Sequence, residues 1–221
     1  MQTLNPKYTF DNLCIGDFNE LAHATALAIV ESPGLTYNPF VVYGNPGLGK
    51  THLIQAIGNK IKEKYKVRYI TCNELSAKIV IEIRTKDNID GLKKDLSYFD
   101  VLIIDDIQFL AGKNRSQEEF LNIIRFLYEK GKQIIAVSDK PPMAIPVLNE
   151  GMCSQFERGM IIDIGTPDYQ VRLSILRNIL KKRKTKISEY ILEYIASNKD
   201  KNISELEGAV NNLLLRKKIR R

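Results

Sequence analysis

Features that would direct a chain to a membrane, a secretory route or a disulfide framework are missing from this sequence. Its three cysteines, Cys14, Cys72 and Cys153, are too few and too widely spaced for a disulfide or zinc pattern. We expect them to be reduced and to fill buried space. No run reaches the roughly eighteen apolar residues that a membrane span requires. Residues 1–7 lack the basic and apolar regions of a secretory signal, so a cytoplasmic protein is expected.

Internal repeats and low-complexity linkers are also absent, and the composition is ordinary for a globular protein. Apolar residues make up 44% of the chain and charged residues 27%. A chain of 221 residues can bury one sizeable core, or a core with a small appendage. The segment Thr166-Pro167-Asp168 is the one convincing boundary, and it predicts two units, 1–167 and 168–221.

The net charge of +7 is concentrated near the C-terminus. From Arg177 to Arg221 there are 13 lysines and arginines against 5 aspartates and glutamates, whereas the rest of the chain has 20 against 21. Clustered basic side chains can contact a phosphate backbone without reading its sequence. They can equally form solvated helix faces, and the sequence leaves both interpretations open.

One glycine-rich stretch is the strongest signal in the chain. Residues 44–51 match G-x-x-x-x-G-K-[ST], between a strand predicted over 40–43 and a helix predicted over 51–64. In such a loop the backbone N–H groups and the helix N-terminus bind phosphates. The lysine reaches the β- and γ-phosphates, and the threonine hydroxyl binds Mg²⁺. The stretch predicts a nucleoside triphosphate site formed by Gly44, Asn45, Pro46, Gly47, Leu48, Gly49, Lys50, Thr51 and His52.

A second element is acidic. Asp105 and Asp106 follow an apolar run over 101–104, which is typical of a strand buried on both faces of a parallel sheet. Ligands bind at the carboxyl ends of such strands. We expect Asp105 to hold Mg²⁺ through its water shell and Asp106 to polarise the attacking water. Ser138 and Asp139 end the strand predicted over 133–137 in the same way.

Alternating apolar patterns predict an α/β fold. Strands are expected over 40–43, 67–71, 100–105, 133–137 and 160–164, and helices over 19–30, 51–64, 73–84, 89–96 and 116–129. Asn19 and Asn73 are expected to cap two of these helices. In the first helix, the predicted apolar face is Leu21, Ala24, Thr25, Ala28 and Ile29. Further helices over 169–182, 188–197 and 202–218 complete a five-stranded parallel sheet with flanking helices and a small C-terminal helical lid.

The sequence resembles the AAA+ domain of the bacterial replication initiator family, DnaA. The matching stretches are Leu4 to Asn12, His23-Ala24, Tyr37 to Pro39, Gly47 to Leu53, Ile104 to Phe109, Ser116 to Phe120, Ser138-Asp139 and Glu205 to Ala209. Ile-Asp-Asp-Ile-Gln-Phe followed by Ser-Gln-Glu-Glu-Phe is more diagnostic than the glycine-rich loop alone. The resemblance covers essentially the whole chain. It implies an AAA+ P-loop NTPase that binds ATP and Mg²⁺, assembles on origin DNA and hydrolyses ATP weakly.

The same resemblance implies roles for individual residues. Asp139 lies at the sensor I position, which reports on the γ-phosphate. Ile81, Lys113 and Arg115 lie where the initiator contacts single-stranded DNA inside its helical filament. The N-terminal arm near residues 13–15 and the lid are expected to enclose the adenine.

Three positions depart from the family pattern. Gln155 stands at the arginine-finger position, Gly151 replaces a second arginine of that helix, and Ser204 replaces the sensor II arginine. None of these side chains can supply the charge of a guanidinium. Arg158 is near the finger position, but three residues along a helix displace its reach by nearly a full turn. The resemblance therefore implies an ATPase without the usual finger.

Two functions are consistent with these residues. The chain can be an initiation protein that assembles with itself on DNA. Alternatively, it can be a regulatory or helicase-loader-like module that docks onto an intact DnaA or the replicative helicase, with ATP mainly stabilising an interface. The sequence stops where the initiator's helix-turn-helix domain would follow, as expected of either a fragment or a shortened relative. Whether ATP drives self-association, or only association with intact DnaA, distinguishes the two.

Overall fold

Parallel strands form the centre of the fold. The computed structural model describes residues 3–110, 114–146, 148–198 and 202–219. In these ranges the strands are β1 (Phe40–Tyr43), β2 (Val67–Thr71), β3 (Val101–Asp105), β4 (Gln133–Val137) and β5 (Met160–Asp163). They form one sheet in the order β2-β3-β4-β1-β5, and all the pairings described are parallel. The predicted five-stranded parallel sheet is confirmed, with β3 and β5 each one residue shorter than expected.

Helices connect and cover these strands. They are α1 (Glu20–Glu31), α2 (Lys50–Ile61), α3 (Cys72–Lys86), α4 (Asp90–Ser97), α5 (Asn114–Glu129), α6 (Glu150–Glu157), α7 (Tyr169–Lys182), α8 (Glu189–Ser197) and α9 (Ile203–Ile219). Single 3₁₀ turns lie at Phe10–Asn12, Ile107–Phe109 and Pro142–Ala144. The apolar periodicity predicted all of the helices in this series except α6, which only the family resemblance indicated.

The apolar strands bury side chains on both faces of the sheet. Val41 belongs to the cluster beneath α3, α5 and α6, whereas its neighbours Phe40 and Val42 belong to the cluster beneath α1 and α2. The same alternation holds along β4, where Ile134 and Ile135 lie in opposite clusters. Each fully buried aliphatic side chain stabilises the fold by about 1.5–3 kcal/mol. A helix layer on each face therefore accounts for the continuous apolar runs of the sequence.

The three C-terminal helices pack around an apolar cluster of their own. It contains Leu173, Ile175, Leu176, Leu192, Ile195, Leu206 and Val210. Arg172 of α7 is 5% exposed, and its guanidinium donates hydrogen bonds to the carbonyls of Ala196 and Pro167. The side chain of Asp168 caps α7 by accepting the N–H of Val171 at 2.7 Å. This separate cluster supports the division at residues 167 and 168, which stays a prediction.

The N-terminal arm, residues 3–18, lies along α2. Leu4 packs so close to Gly58 that a Cβ there would be 3.0 Å from its methyl groups. The rings of Tyr8 and His52 stack with centroids 4.8 Å apart. Nε2 of His52 lies 2.9 Å from the carbonyl oxygen of Thr9. The arm is therefore part of the packed structure on the P-loop side of the sheet.

Several local predictions were wrong. On α1, Thr25 and Ile29 are buried as predicted, but the rest of the buried face is Ala22 and Ala26, and Leu21 is 59% exposed. Small alanines allow the helix to lie close to its neighbours, so the larger leucine is not the inward residue. Thr71, not Asn73, caps α3 by accepting the N–H of Glu74.

The side chain of Asn19 precedes α1 but makes no capping hydrogen bond. It bonds instead to the backbone of Gly16 and Cys14. Cys72 is buried as predicted, but Cys14 and Cys153 are only partly buried, and all three are free thiols. Within the ranges described, no helix has the length and apolar character to cross a bilayer.

Candidate nucleotide-binding site

The loop between β1 and α2 has the backbone of a phosphate cradle. Gly44, Gly47 and Gly49 have φ values of +144°, +78° and +89°, a region that strains residues with a Cβ. A Cβ on Gly44 would lie 2.5 Å from the carbonyl oxygen of Ile164. Glycine is therefore required at this turn, and the helix that follows begins at Lys50 with its N-terminus at the loop.

The side chain of Lys50 extends from the start of α2 into the space enclosed by this loop. It is 8% exposed, and its ammonium donates hydrogen bonds to the carbonyls of Gly44 and Asn45, at 2.6 and 2.9 Å. Burial lowers the pKa of Lys50. Nearby carboxylates oppose that shift, in the order Asp106, Asp105 and Asp139. The ammonium and the three predicted acidic residues therefore share one region of the structure.

Asp105 ends β3 as a buried carboxylate. It is 3% exposed, and the hydroxyl of Tyr69 donates a 2.7 Å hydrogen bond to Oδ2. Burial raises the pKa of Asp105, while the hydroxyls of Tyr69 and Thr51 act in the opposite direction. Its other oxygen, Oδ1, is buried and accepts no hydrogen bond from any residue that the structure describes. A buried carboxylate oxygen of this kind is the expected ligand of a cation or a cation-bound water.

Asp106 and Asp139 lie at the same edge of the sheet. Asp106 is in the left-handed region, with φ of +60° and ψ of +53°, which costs a non-glycine residue about 1–3 kcal/mol. Its Oδ1 accepts a 2.9 Å hydrogen bond from the amide of Gln108. Asp139 follows β4, between β3 and β1 in the sheet, and its Oδ1 is buried without a partner among the described residues. One residue in the left-handed region and two unpaired carboxylate oxygens therefore lie where the sequence predicted the site.

A magnesium ion fits this set of residues. In the ranges that the structure describes, no group of three or more His, Cys, Asp or Glu side chains could hold a metal alone. Mg²⁺ is usually bound by one or two carboxylates together with substrate phosphates and water. Asp105 and the Thr51 hydroxyl can supply the protein's share. The donors therefore match a metal that binds together with a nucleotide.

The lid contacts the same loop. A Cβ on Gly47 would lie 2.5 Å from the side chain of Asn202, which precedes α9. The backbone N–H of Ser204, at the sensor II position, donates to the carbonyl of Gly47 at 3.4 Å. A cleft of about 460 Å³ opens beside the loop, between the ends of β1, β4 and β5, and Asp139 and Lys140 are among its lining residues.

Gln155, at the position that the family resemblance assigns to the arginine finger, is turned into the core. It is 3% exposed, and its amide nitrogen Nε2 has no hydrogen-bond partner among the described residues. It lies among the apolar side chains Phe120, Leu121, Ile124, Met152 and Phe156. A Cβ on Gly151 would lie 3.5 Å from the guanidinium of Arg125. The guanidinium of Arg158 lies 6.0 Å from the ring centre of Tyr128.

Two of the three predicted DNA contacts lie near the junction of α3 and α5. Ile81 of α3 is 58% exposed. Arg115, in the first turn of α5, forms a 2.6 Å ion pair with Asp87, which ends α3. Lys113 lies outside the described residues. A partly exposed basic and apolar surface is therefore present at this junction, and its role stays a prediction.

Sequence reasoning missed Tyr69 and Asn202. Tyr69 is one of several apolar or aromatic residues of β2, and its contact with Asp105 spans 36 positions of the chain. Asn202 precedes α9 like an ordinary cap. Neither residue belongs to a local motif, so only the fold could identify them.

Comparison with known proteins agrees with this geometry. The family model of the Bacterial DnaA ATPase domain matches residues 4–163. The Chromosomal replication initiator protein DnaA of Caldanaerobacter subterraneus subsp. tengcongensis is 46% identical over 213 residues, which is 95% of this chain and 48% of the relative. The chain thus spans about half the length of the curated relatives it matches.

Solved structures agree as well. Domain III of the Thermotoga maritima replication initiation protein DnaA superposes with a TM-score of 0.89 at 34% identity, covering 99% of this chain and 92% of that domain. A replication initiator DnaA bound to AMPPCP and single-stranded DNA gives a TM-score of 0.89 at 35% identity, covering 97% of this chain and 66% of that one. With its P-loop, its acidic strand end and its five-stranded parallel sheet, the chain belongs to the family of bacterial DnaA ATPase domains and has their AAA+ fold.

Proposed function

We propose that this chain binds ATP together with Mg²⁺ and acts as the nucleotide-binding part of a replication initiation protein that assembles on origin DNA. The observation that carries the proposal is the buried Lys50 beside Asp105, in a chain of the DnaA family. Oδ1 of Asp105 has no hydrogen-bond partner among the residues described. A similar solved structure holds AMPPCP, an ATP analogue, and single-stranded DNA. That complex supports both ligands for this chain.

Each group in the site has a chemical task in this proposal. The N–H groups of the loop 44–49 and the ammonium of Lys50 bind the phosphates. Thr51 and Asp105 hold Mg²⁺, which neutralises phosphate charge when bound. Asp106 polarises the attacking water, and Asp139 lies at the sensor I position beside it. His52 takes part through the arm, which it anchors at Thr9.

DNA binding and assembly form the second half of the proposal. Ile81 and Arg115, with Lys113, are proposed to contact single-stranded DNA. The protein is proposed to assemble with itself, with an intact DnaA or with the replicative helicase, in the cytoplasm. Because Gln155 is buried and Ser204 carries no charge, hydrolysis is proposed to be weak. In that case ATP acts mainly by stabilising the interfaces of the assembly.

Titration with a fluorescent adenine nucleotide tests the ATP site. Lys50→Ala should weaken binding by about tenfold to a hundredfold, because a charge-assisted hydrogen bond is worth about 1.5–3 kcal/mol. Lys60→Ala is the matched control, since Lys60 is an exposed lysine of the same helix. Thr51→Ala should reduce affinity only when Mg²⁺ is present. Equal affinities of Lys50→Ala and the unmodified chain would exclude the site.

A further inference from the structure

Tyr69 of β2 is a nearly buried hydroxyl beside the acidic site. The tyrosine is 8% exposed, and its hydroxyl donates a hydrogen bond of 2.7 Å to Oδ2 of Asp105. In the part of the chain that the structure describes, the other oxygen of Asp105, Oδ1, accepts no hydrogen bond. One carboxylate oxygen is therefore fixed by the tyrosine, and the other is left available for a different ligand.

Burial and the contact with Asp105 raise the pKa of Tyr69, and a hydrogen-bonding influence of the Gln55 side chain, from α2, lowers it. Gln55 is 5% exposed, and its Oε1 accepts the backbone N–H of Asn5 at 2.7 Å. Because the carboxamide oxygen bonds to the arm, its nitrogen is the donor left for the tyrosine. The direction of the bonds is then consistent along the whole series: Gln55 donates to Tyr69, and Tyr69 donates to Asp105.

One face of α2 carries both ends of this connection. Thr51, Gln55 and Asn59 are four residues apart, so their side chains follow one another along a single face of the helix. The amide of Asn59 donates to the carbonyls of Asn5 and Tyr8, at 2.8 and 2.9 Å. The proposed metal site lies at the first turn of this face, and the arm is bound one and two turns later, at Gln55 and Asn59.

We propose that Tyr69 is a positioning residue that holds Asp105 in the orientation presenting Oδ1 to Mg²⁺, and that Gln55 couples this arrangement to docking of the arm at Asn5. The inference rests on the proposed Mg²⁺-ATP site. Without the hydroxyl, Oδ2 of Asp105 loses the 2.7 Å hydrogen bond that fixes it, and the carboxylate is freer to rotate within its pocket. Loss of such an outer partner typically weakens metal binding by about 10- to 100-fold.

Coupling follows from the shared hydrogen bonds. If bound metal and nucleotide favour the oriented Asp105, they also favour the Tyr69–Gln55 pair and the Gln55–Asn5 contact. Thermodynamic linkage then requires that docking of the arm favours metal binding by the same factor. We call the hydrogen bonds that join Asp105, Tyr69, Gln55 and Asn5 the relay. The arm residues Leu4 and Tyr8 also pack on α2, and we expect this packing to remain when the relay is broken. The relay therefore affects coupling without being needed for the fold.

Tyr69→Phe tests the positioning role, because the ring remains and only the hydroxyl is lost. Mg²⁺ is titrated against a fixed concentration of protein and fluorescent ATP analogue, and analogue binding is measured separately in EDTA. We expect the apparent Mg²⁺ affinity to fall by about 10- to 100-fold, with binding in EDTA unchanged. Tyr65→Phe is the matched control, since this partly buried tyrosine lies outside the relay and should lose nothing.

Hydrogen exchange at the Asn5 amide tests the coupling. In the unmodified chain, Mg²⁺ and ATP should slow this exchange further. In Tyr69→Phe, the Gln55–Asn5 bond remains, so basal protection persists while the additional slowing is lost. Gln55→Met is the second variant: it removes both hydrogen bonds of the carboxamide and should lower Mg²⁺ affinity in the same direction as Tyr69→Phe.

The outcomes separate this inference from the proposed function. No nucleotide binding by the unmodified chain would refute the site itself. Normal Mg²⁺ affinity in both Tyr69→Phe and Gln55→Met would overturn the positioning role while leaving the ATP site intact. Equal losses with Mg²⁺ and in EDTA, together with a lowered unfolding midpoint, would show that Tyr69 only stabilises the fold. If Mg²⁺ and ATP still slowed hydrogen exchange at the Asn5 amide in Tyr69→Phe, the coupling would be overturned.

Discussion

Gln155 illustrates how one residue can depart from its family role in both charge and direction. Its Nε2 is buried without a partner, which costs about 1–3 kcal/mol. Gln155→Leu removes this polar atom and keeps most of the volume among Phe120 and Met152. We therefore expect the free energy of unfolding in urea to stay the same or rise. Gln155→Ala, which leaves a cavity, is the contrasting variant and should lower it.

A clear loss of stability in Gln155→Leu would mean that the amide has a partner in solution. In that case Gln155 is held by a polar contact and not by apolar packing. The comparison with Gln155→Ala distinguishes the two situations, because loss of packing alone affects the alanine variant more.

His52 gives the arm a dependence on pH. Burial lowers its pKa below the ordinary 6.5, helped by Lys182 and opposed by the Thr9 carbonyl and Glu207. The unfolded chain then takes up a proton before the folded chain does. This contribution to stability is complete above pH 6.5 and is lost as the pH falls through the folded pKa, by at most about 1.4 kcal/mol per pH unit.

Urea unfolding at pH 7.5 and 5.5 measures this effect. His52→Gln should reduce the difference between the two midpoints, and replacing His23 as well should reduce it further, since burial also lowers the pKa of His23. These are the two histidines of the chain. A pH dependence unchanged in the double variant would place its origin in other groups.

At the residue scale, the sequence was sufficient to predict those candidate site residues that belong to local motifs. Residues 44–51 and the pair Asp105-Asp106 were identified because their spacing is contiguous and their chemistry is specific. Tyr69 and Gln55 were missed because they reach Asp105 and Asn5 only after folding. The inward direction of Gln155 was also unpredictable, since glutamine at a helical position has no strong preference for burial.

Elements were predicted well where a single periodicity decides their limits. Strands β1, β2 and β4 match their predicted ranges, because short β-branched runs between polar segments allow one register. The caps were less certain, because Thr71 and Asn73 are both good capping residues. Tertiary contacts decided between them, since Thr71 is still paired with β3 when α3 begins.

The two candidate caps of α3 make a direct test at this scale. Thr71→Ala removes the acceptor for the N–H of Glu74 and should lower the free energy of unfolding by about 1 kcal/mol. Asn73→Ala should change it by less than about 0.5 kcal/mol. Thermal or urea unfolding of the two variants measures the difference. A larger loss in Asn73→Ala would show that the helix begins later than described.

For the whole molecule, the DNA contacts proposed at α3 and α5 lead to a prediction of how single-stranded DNA would bind. Without base-specific contacts, affinity for single strands should be weak, tolerant of sequence and strongly dependent on salt. Arg115→Ala should weaken binding and reduce the salt slope by about one. Lys130→Ala is a control for the loss of an exposed cation elsewhere. Fluorescence anisotropy over a salt series makes the measurement.

Binding to a specific duplex at physiological salt would contradict this prediction. So would an Arg115→Ala variant with an unchanged salt slope. In solution, Arg115 must also leave its ion pair with Asp87, an exposed pair worth at most about 1 kcal/mol. That contact is therefore a small obstacle to DNA binding.

Turnover is a property of the assembled molecule, and we expect the lack of an arginine at the proposed finger position to limit it. A finger supplied by a neighbour is worth about 10³–10⁵ in rate for P-loop enzymes. Gln155 is buried and uncharged, whereas Asp105, Asp106 and Asp139 remain at the site. We expect slow phosphate release per protomer that hardly changes with protein concentration or added DNA. Steady-state phosphate release over a range of concentrations measures this.

Restoring charge at the interface completes the test. Gln155→Arg with Ser204→Arg should raise the rate of hydrolysis only at concentrations that allow assembly, because a finger acts on the nucleotide of a neighbouring protomer. The new guanidinium must also leave the apolar pocket to reach that neighbour. Two native arginines lie close to the proposed finger position in α6: Arg158 lies near the ring of Tyr128, and Arg125 lies near Gly151. Each is therefore a candidate to replace the finger. Arg158→Ala and Arg125→Ala should leave the basal rate unchanged. Strong cooperative turnover that either alanine variant abolishes would identify that arginine as the finger of this chain.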